Sequence, residues 1–150
     1  MDIADWIDLI DQEERALSVA YHDVLRAIDA RHADCTAQCL YLSFEQLIRD
    51  PLAVRGEPQD FIYCVGMFDY LNRRRAQALL LALYERLSPG GLLAIGNALG
   101  PNNHAWMCEF ACDWTLIYRD RDDLRQLAEG AVAQAGPLGV GRAADVGGGV

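Results

Sequence analysis

The chain is short of positive charge. Thirteen Lys and Arg stand against 22 Asp and Glu, a formal net charge of −9 over 150 residues. That balance excludes a protein that grips nucleic acid through its phosphates, which needs a surplus of clustered cations. The one cluster, Arg73, Arg74 and Arg75, falls on the first turn of an expected helix and reads as a solvated face. A long apolar run is also missing. No stretch approaches the roughly 20 residues that cross a bilayer, so no membrane partner is expected. The N-terminus carries Asp2, Asp5 and Asp8, the opposite of a secretory signal's basic start. A cytoplasmic protein is expected, with its five cysteines as reduced thiols packed like small apolar groups. Cys35 and Cys39 share C-x3-C spacing with Cys108 and Cys112. Neither pair has the glycine knuckles of a zinc ribbon and both lie in apolar segments, so no metal is expected.

What is plentiful is apolar material. Hydrophobic residues make up 52% of the chain, enough for a packed core at a length that suits one domain. Trp6 to Ile10 reads as a strand closing on Asp11. Glu13 to Ile28 reads as a helix, with Leu17, Ala20, Tyr21, Val24 and Ile28 as its buried stripe. Gln38 to Leu42 reads as a second strand ending at Ser43, followed by a short helix or turn to Arg49 that Pro51 stops. Residues 55–59 read as a loop. Phe61 to Val65 is apolar at every position, the pattern of a strand covered on both faces.

Arg73 to Leu87 is the clearest helix, with Asn72 as its N-cap and Ser88-Pro89-Gly90-Gly91 as the tight turn that ends it. Leu92 to Ile95 reads as the next strand. Trp106 to Tyr118 is aromatic-rich and ambiguous, and is taken as a helix; Asp120 to Glu129 is another, with Asp122 and Asp123 near its positive end. Residues 131–150 read as a Gly- and Ala-rich tail. This order implies an α/β domain over residues 1–130: a mostly parallel sheet with helices on its faces.

In such sheets ligands bind beyond the carboxyl ends of the strands. The residues there are Asp11, Ser43, Gly66 and Asn97. An acid after a strand can accept both hydroxyls of a ribose, and Gly66 lets a ligand approach the main chain. Asp69 and Tyr70 are expected at the mouth of the cleft. Each has a plainer reading: Asp11 or Asp69 as a helix cap, Asn97 as a turn former, Tyr70 as a packed ring bonded to backbone.

Several segments resemble class I S-adenosylmethionine-dependent methyltransferases. "LYERLSPGGLLAIGN" is similar to the Pro-Gly-Gly turn before that fold's fifth strand, and "LIDQEERALSVA" to its second strand and following helix. "FIYCVGMFDYLN", "PGGLLAIGN" and "MCEFACDWTLIYRDRDDLRQLA" together resemble a bacterial subgroup that includes 3-hydroxypalmitic acid methyl ester synthase-type enzymes. The resemblance spans Ile7 to Glu129 and implies a Rossmann-like methyltransferase fold. It implies that Asp11 binds the ribose of S-adenosylmethionine, that Leu42 and Ser43 border the adenine, and that Cys64, Val65 and Gly66 line the cleft by the methionine end. Tyr70, Asn97, Trp114, Tyr118 and Arg119 fall on the side of a small-molecule methyl acceptor, with a fatty-acid carboxylate suggested by the subgroup. Arg119 could grip such a carboxylate as a bidentate fork, or form a structural ion pair.

The family's first strand and its glycine-rich loop should precede Ile7, and they are not there. In the implied strand order 3-2-1-4-5-7-6 that strand separates the segments around Leu9 and Ile62. The chain is therefore expected to be a partial version of the fold, a fragment of a larger enzyme with weak cofactor affinity. Two alternatives stay open: a second chain completes the sheet, or Arg142 to Val146 within "RAADVGGGV" fills the gap. Two other functional readings remain beside the methyltransferase: a non-catalytic α/β binding or interaction module, and a nicotinamide dinucleotide enzyme, which also uses an acid after its second strand.

Overall fold

The computed structural model describes residues 6–50, 54, 57–100, 109–110 and 112–135. The protein is α/β, with small parallel sheets flanked by helices. Its contacts divide it into two compact units, Met1–Arg55 and Gly56–Val150.

The first unit holds β1 (Trp6–Asp11), α1 (Glu14–Ala30), β2 (Thr36–Tyr41) and α2 (Phe44–Arg49). The two strands run parallel in unbroken register, from Trp6 beside Thr36 to Asp11 beside Tyr41. Parallel neighbours need a crossover, and α1 supplies it. Its stripe is the one the 3.6-residue period gives: Leu17 is buried, and Ala20, Tyr21, Val24 and Ile28 are partly covered. Glu13 caps the helix, its carboxylate accepting from the Arg15 and Ala16 amides. His32 ends it in the left-handed region at φ 49, where the next amide, Ala33 N–H, turns back to the Ile28 carbonyl.

The second unit holds β3 (Gln59–Cys64), a 3-10 turn (Phe68–Tyr70), α3 (Arg73–Tyr84), β4 (Leu87–Ile95) and α4 (Arg121–Ala135). β3 and β4 are parallel, and α3 packs against both β4 and α4. The core lies along α3: Ala76, Leu79, Leu80, Ala82 and Leu83 are buried, joined by Phe68, Leu71, Leu127 and Ala131. A side chain the size of Phe68 or Leu127, removed fully from water, contributes about 1.5–3 kcal/mol. Asn72 caps α3 through the Arg75 amide, as its sequence position suggests. Asp120 and Asp123 cap α4 reciprocally, each carboxylate accepting from the other's amide.

The fold departs from the sequence expectation at four points. First, α3 stops at Tyr84, and Ser88 to Gly91 does not terminate it; those residues form an excursion inside β4. Leu87 pairs with Gln59, and pairing resumes with Leu92 beside Phe61. Gly90 takes a positive φ of 85, and a Cβ on Gly91 would sit 3.0 Å from the Gln59 and Ser88 carbonyl oxygens. Second, β3 is not covered on both faces: Phe61 and Tyr63 are exposed, as is Leu92, the neighbour of Phe61. The apolar run reports strand character, but the described residues supply a helical layer on one side only. Third, residues 112–120 are not helical. Asp113 has a positive φ, and the amides of Ile117 and Arg119 bond to distant carbonyls instead of their own preceding turn. Fourth, α4 runs five residues past Gly130, to Ala135. The rest of the expected tail, including residues 142–146, lies outside the described residues, as do residues 101–108. Among the described residues, no helix is long and apolar enough to cross a membrane.

Candidate functional site

At the carboxyl end of the first sheet, three of the expected site residues come together. Asp11 closes β1, and its carbonyl accepts from the Leu42 amide at 3.2 Å. Ser43 follows as the N-cap of α2 in a full capping box with Gln46: each side chain bonds the other residue's amide. The Asp11 carboxylate accepts from the Glu13 amide at 2.8 Å through Oδ1. This bond turns the chain from strand towards helix, but the N-cap is Glu13, so Asp11 is a turn residue and not the helix cap that its sequence position suggests.

The second sheet ends in a rim built from three segments. The first leaves β3 at Cys64. Gly66 has φ 76, a conformation that suits glycine, and a Cβ there would meet nothing within 4 Å. The chain then folds into the turn Phe68–Tyr70. The second segment leaves β4 through Gly96, whose amide donates to the Cys64 carbonyl at 3.0 Å, and continues through Asn97 and Ala98. The third runs from Asp113 to Asp120.

Arg119 ties these segments together. It is only 8% exposed. Its Nη1 donates to the Phe68 carbonyl and to Asn97 Oδ1, both at 2.7 Å, and its Nη2 donates to the Leu71 carbonyl. Its backbone amide donates to the Ala98 carbonyl at 3.1 Å. Asn97 Nδ2 donates to the Ile117 and Ala98 carbonyls at 2.9 and 3.0 Å. Asp69, 7% exposed, accepts the Ala98 amide on its carboxylate and the Ile117 amide on its carbonyl. Burial pulls the Arg119 pKa down from the usual guanidinium value; the carboxylates of Asp123 and Asp69 oppose that, and Arg73 adds to it. A guanidinium starts so high that it keeps its charge.

Asp69 is therefore neither exposed at a cleft mouth nor the cap of α3. It is a buried acceptor that pins the strand-tip loops. From its sequence position a cap or a substrate contact is expected, because the Ala98 and Ile117 amides it satisfies are far away in sequence. The β-branched residues Thr115 and Ile117 were the available signal for an extended third segment.

Tyr70 and Trp114 form the outer part of this rim. Their rings stack with centroids 6.5 Å apart and planes 26° apart, and the indole Nε1 donates to the Tyr70 hydroxyl. They remain 49% and 48% exposed. Tyr118 packs on Gly100, where a Cβ would lie 2.6 Å from the Tyr118 Cβ. Val65 is exposed. Burial pushes the Cys64 thiol up to about 11, so at neutral pH it is protonated and a poor nucleophile.

The structure thus groups Asp11, Leu42 and Ser43 in the first unit, and Cys64, Val65, Gly66, Tyr70, Asn97, Trp114, Tyr118 and Arg119 in the second. Among the described residues, no group of three or more His, Cys, Asp or Glu gathers in a way that could hold a metal ion. Cys35, Cys39, Cys64 and Cys112 are free thiols, and Cys39 and Cys112 are exposed rather than packed. No protein-family model matches the chain, and no curated protein matches it.

Proposed function

We propose that this chain is a partial class I S-adenosylmethionine-dependent methyltransferase domain acting on a small-molecule acceptor. The observation that carries the reading is the pairing of the strands. β1 with β2 and β3 with β4 are parallel neighbours, the two pairs that the order 3-2-1-4-5 keeps when its central strand is left out. Each pair ends in loops bearing the residue types that an adenosyl group calls for. In the first unit Asp11 stands ready for the ribose diol; a carboxylate has about four lone-pair sites, and the Glu13 amide takes one. Leu42 and Ser43 would border the adenine. In the second unit Gly66 offers open backbone beside Cys64 and Val65. When bound, the cofactor supplies an electrophilic methyl on sulfur. The protein's task is then alignment of the acceptor, worth more in such a displacement than acid–base groups, and the hydrogen-bonded second rim is suited to fixed geometry.

A titration of the full chain with S-adenosylhomocysteine by calorimetry tests this. The described strand ends include no glycine-rich cradle, so weak saturable binding is expected, with a Kd near 1 mM corresponding to about 4 kcal/mol. Asp11→Ala should abolish it. Binding that survives Asp11→Ala unchanged, or no binding by the wild type at millimolar ligand, would remove the proposal.

One observation favours a second reading, a non-catalytic interaction module: the exposed sheet face of Phe61, Tyr63 and Leu92. Parallel sheets are normally covered on both faces. A chain that self-associates on size-exclusion chromatography and ignores S-adenosylhomocysteine would support this second reading.

A further inference from the structure

The second rim sorts its polar groups from its apolar ones. Among the described residues of its three segments, 65–72, 96–100 and 112–120, the charged side chains are Asp69, Asp113, Arg119 and Asp120. Asp69 and Arg119 are buried. The Arg119 fork is spent on two carbonyls and on Asn97, and the Asn97 amide is engaged at both ends. Asp120 caps α4. Arg73, the cation that acts on Arg119, reaches Gln126 on α4 at 3.5 Å. The remaining charge is Asp113, exposed and next to Trp114.

The aromatic pair is arranged the other way. Tyr70 and Trp114 each leave about half their surface in solvent, and Val65 and Ile117 on the same segments are exposed too. Because the indole N–H donates to the Tyr70 oxygen, the phenol's own proton remains for an outside acceptor. A stacked aromatic pair held by a hydrogen bond offers a preformed π-surface, on which a further ring stacks at little entropic cost.

From this sorting we infer that the Tyr70–Trp114 pair is the binding surface for an uncharged aromatic ring of the acceptor, with the Tyr70 hydroxyl donating to an oxygen on that ring. The inference rests on the proposed function only in naming the ring as part of a methyl acceptor. Arg119 is a positioning residue: it holds the Phe68–Leu71 turn, and through it Tyr70, and does not receive a substrate carboxylate. An anionic acceptor would meet Asp113 and a chain of net charge −9.

The test compares 2-naphthol with 2-naphthoate, the same ring system with a hydroxyl or a carboxylate, titrated into the full chain and followed by NMR of the tryptophan indole N–H signals. The naphthol should shift the Trp114 signal and bind about tenfold or more tightly than the naphthoate. Trp114→Ala should weaken it by about tenfold, the size of one lost stacking contact. Tyr70→Phe keeps the ring and should cost about threefold to tenfold, one hydrogen bond; this variant carries the test if Trp114→Ala perturbs folding. Naphthoate binding as tightly as naphthol and failing in Arg119→Lys would overturn the inference. So would naphthol binding that leaves the Trp114 signal unmoved, or none at millimolar concentration. The S-adenosylhomocysteine titration fails or succeeds separately: naphthol binding without it keeps the ring site and discards the methyltransferase, and the converse discards the ring site alone.

Discussion

The two units finish their strands by opposite means. At the tips of β1 and β2 the bonds are between sequence neighbours: Asp11 holds Glu13 two residues on, and Ser43 and Gln46 hold each other three apart. At the tips of β3 and β4 the bonds reach across the chain. Asn97 bonds Ile117 over 20 residues, Asp69 bonds Ala98 over 29, and Arg119 bonds Leu71 and Phe68 over 48 and 51. A local cap forms with its own helix and can be lost alone. A bond that closes a long loop forms only once the intervening chain is in place. The first rim is a set of separable caps, and the second behaves as one unit.

The most severe way to break that contrast is Arg119→Ala. It leaves the Leu71 carbonyl and Asn97 Oδ1 without the Arg119 donor and the Phe68 carbonyl with the Leu71 amide alone, and removes the cation near buried Asp69. A loss of about 3 kcal/mol or more is expected in urea denaturation. Hydrogen exchange should accelerate together at the amides of Ala98, Ile117 and position 119 while those of β2 keep their protection. Arg119→Lys should recover only part of the loss, because an ammonium cannot reproduce the fork. A loss under about 1 kcal/mol would mean the second rim is no more cooperative than the first.

A smaller effect comes from pH. The Cys64 thiol is raised from 9.0 to about 11 by burial. The folded chain therefore keeps a proton that the unfolded chain gives up. Its contribution is whole below pH 9, falls as pH climbs from 9 to about 11, and costs roughly 2–3 kcal/mol across that window. Denaturation curves over pH 8 to 11 should be flatter for Cys64→Ala than for the wild type, and parallel curves would contradict the burial.

The smallest change belongs to the first rim. Ser43→Ala should cost about 1 kcal/mol, with faster exchange confined to the first turn of α2. If it also loosened Ala98 or Ile117, the separability of the two rims would be lost.

The same contrast explains what could be read from the sequence. Strand β1 with Asp11 at its end, the stripe on α1, and the Asn72 cap are governed by residues within a turn or two of each other, and periodicity and cap chemistry find such features. The Arg119 network was not legible, because nothing in "WTLIYR" says that its partners lie beside Phe68 and Ala98. Its aromatic-rich pattern is ambiguous between helix and strand and is taken as a helix, whereas the Ile117 and Arg119 amides are taken by other segments. Nor does the apolar run Phe61 to Val65 say which of its faces finds a cover. Gly66 is the intermediate case: its place at the end of an apolar strand marks an open stretch of backbone, and the structure adds a positive φ of 76 there, while the burial of the aspartate three residues later is hidden.

The excursion in β4 has a consequence for the phase of the sheet. Five steps along β4, from Leu87 to Leu92, match two along β3, from Gln59 to Phe61. Three residues are surplus, an odd number, so the alternation of up and down that an unbroken strand would enforce is reset. Without the reset Leu93 and Ile95 would point to the side of Leu87. With it they share a side with Ile62 and Cys64, their partners in the ladder. Pro89, Gly90 and Gly91 thus act as a phase shifter, and which apolar side chains the far half of this sheet offers to either face is decided by the length of a turn rather than by the residues displayed.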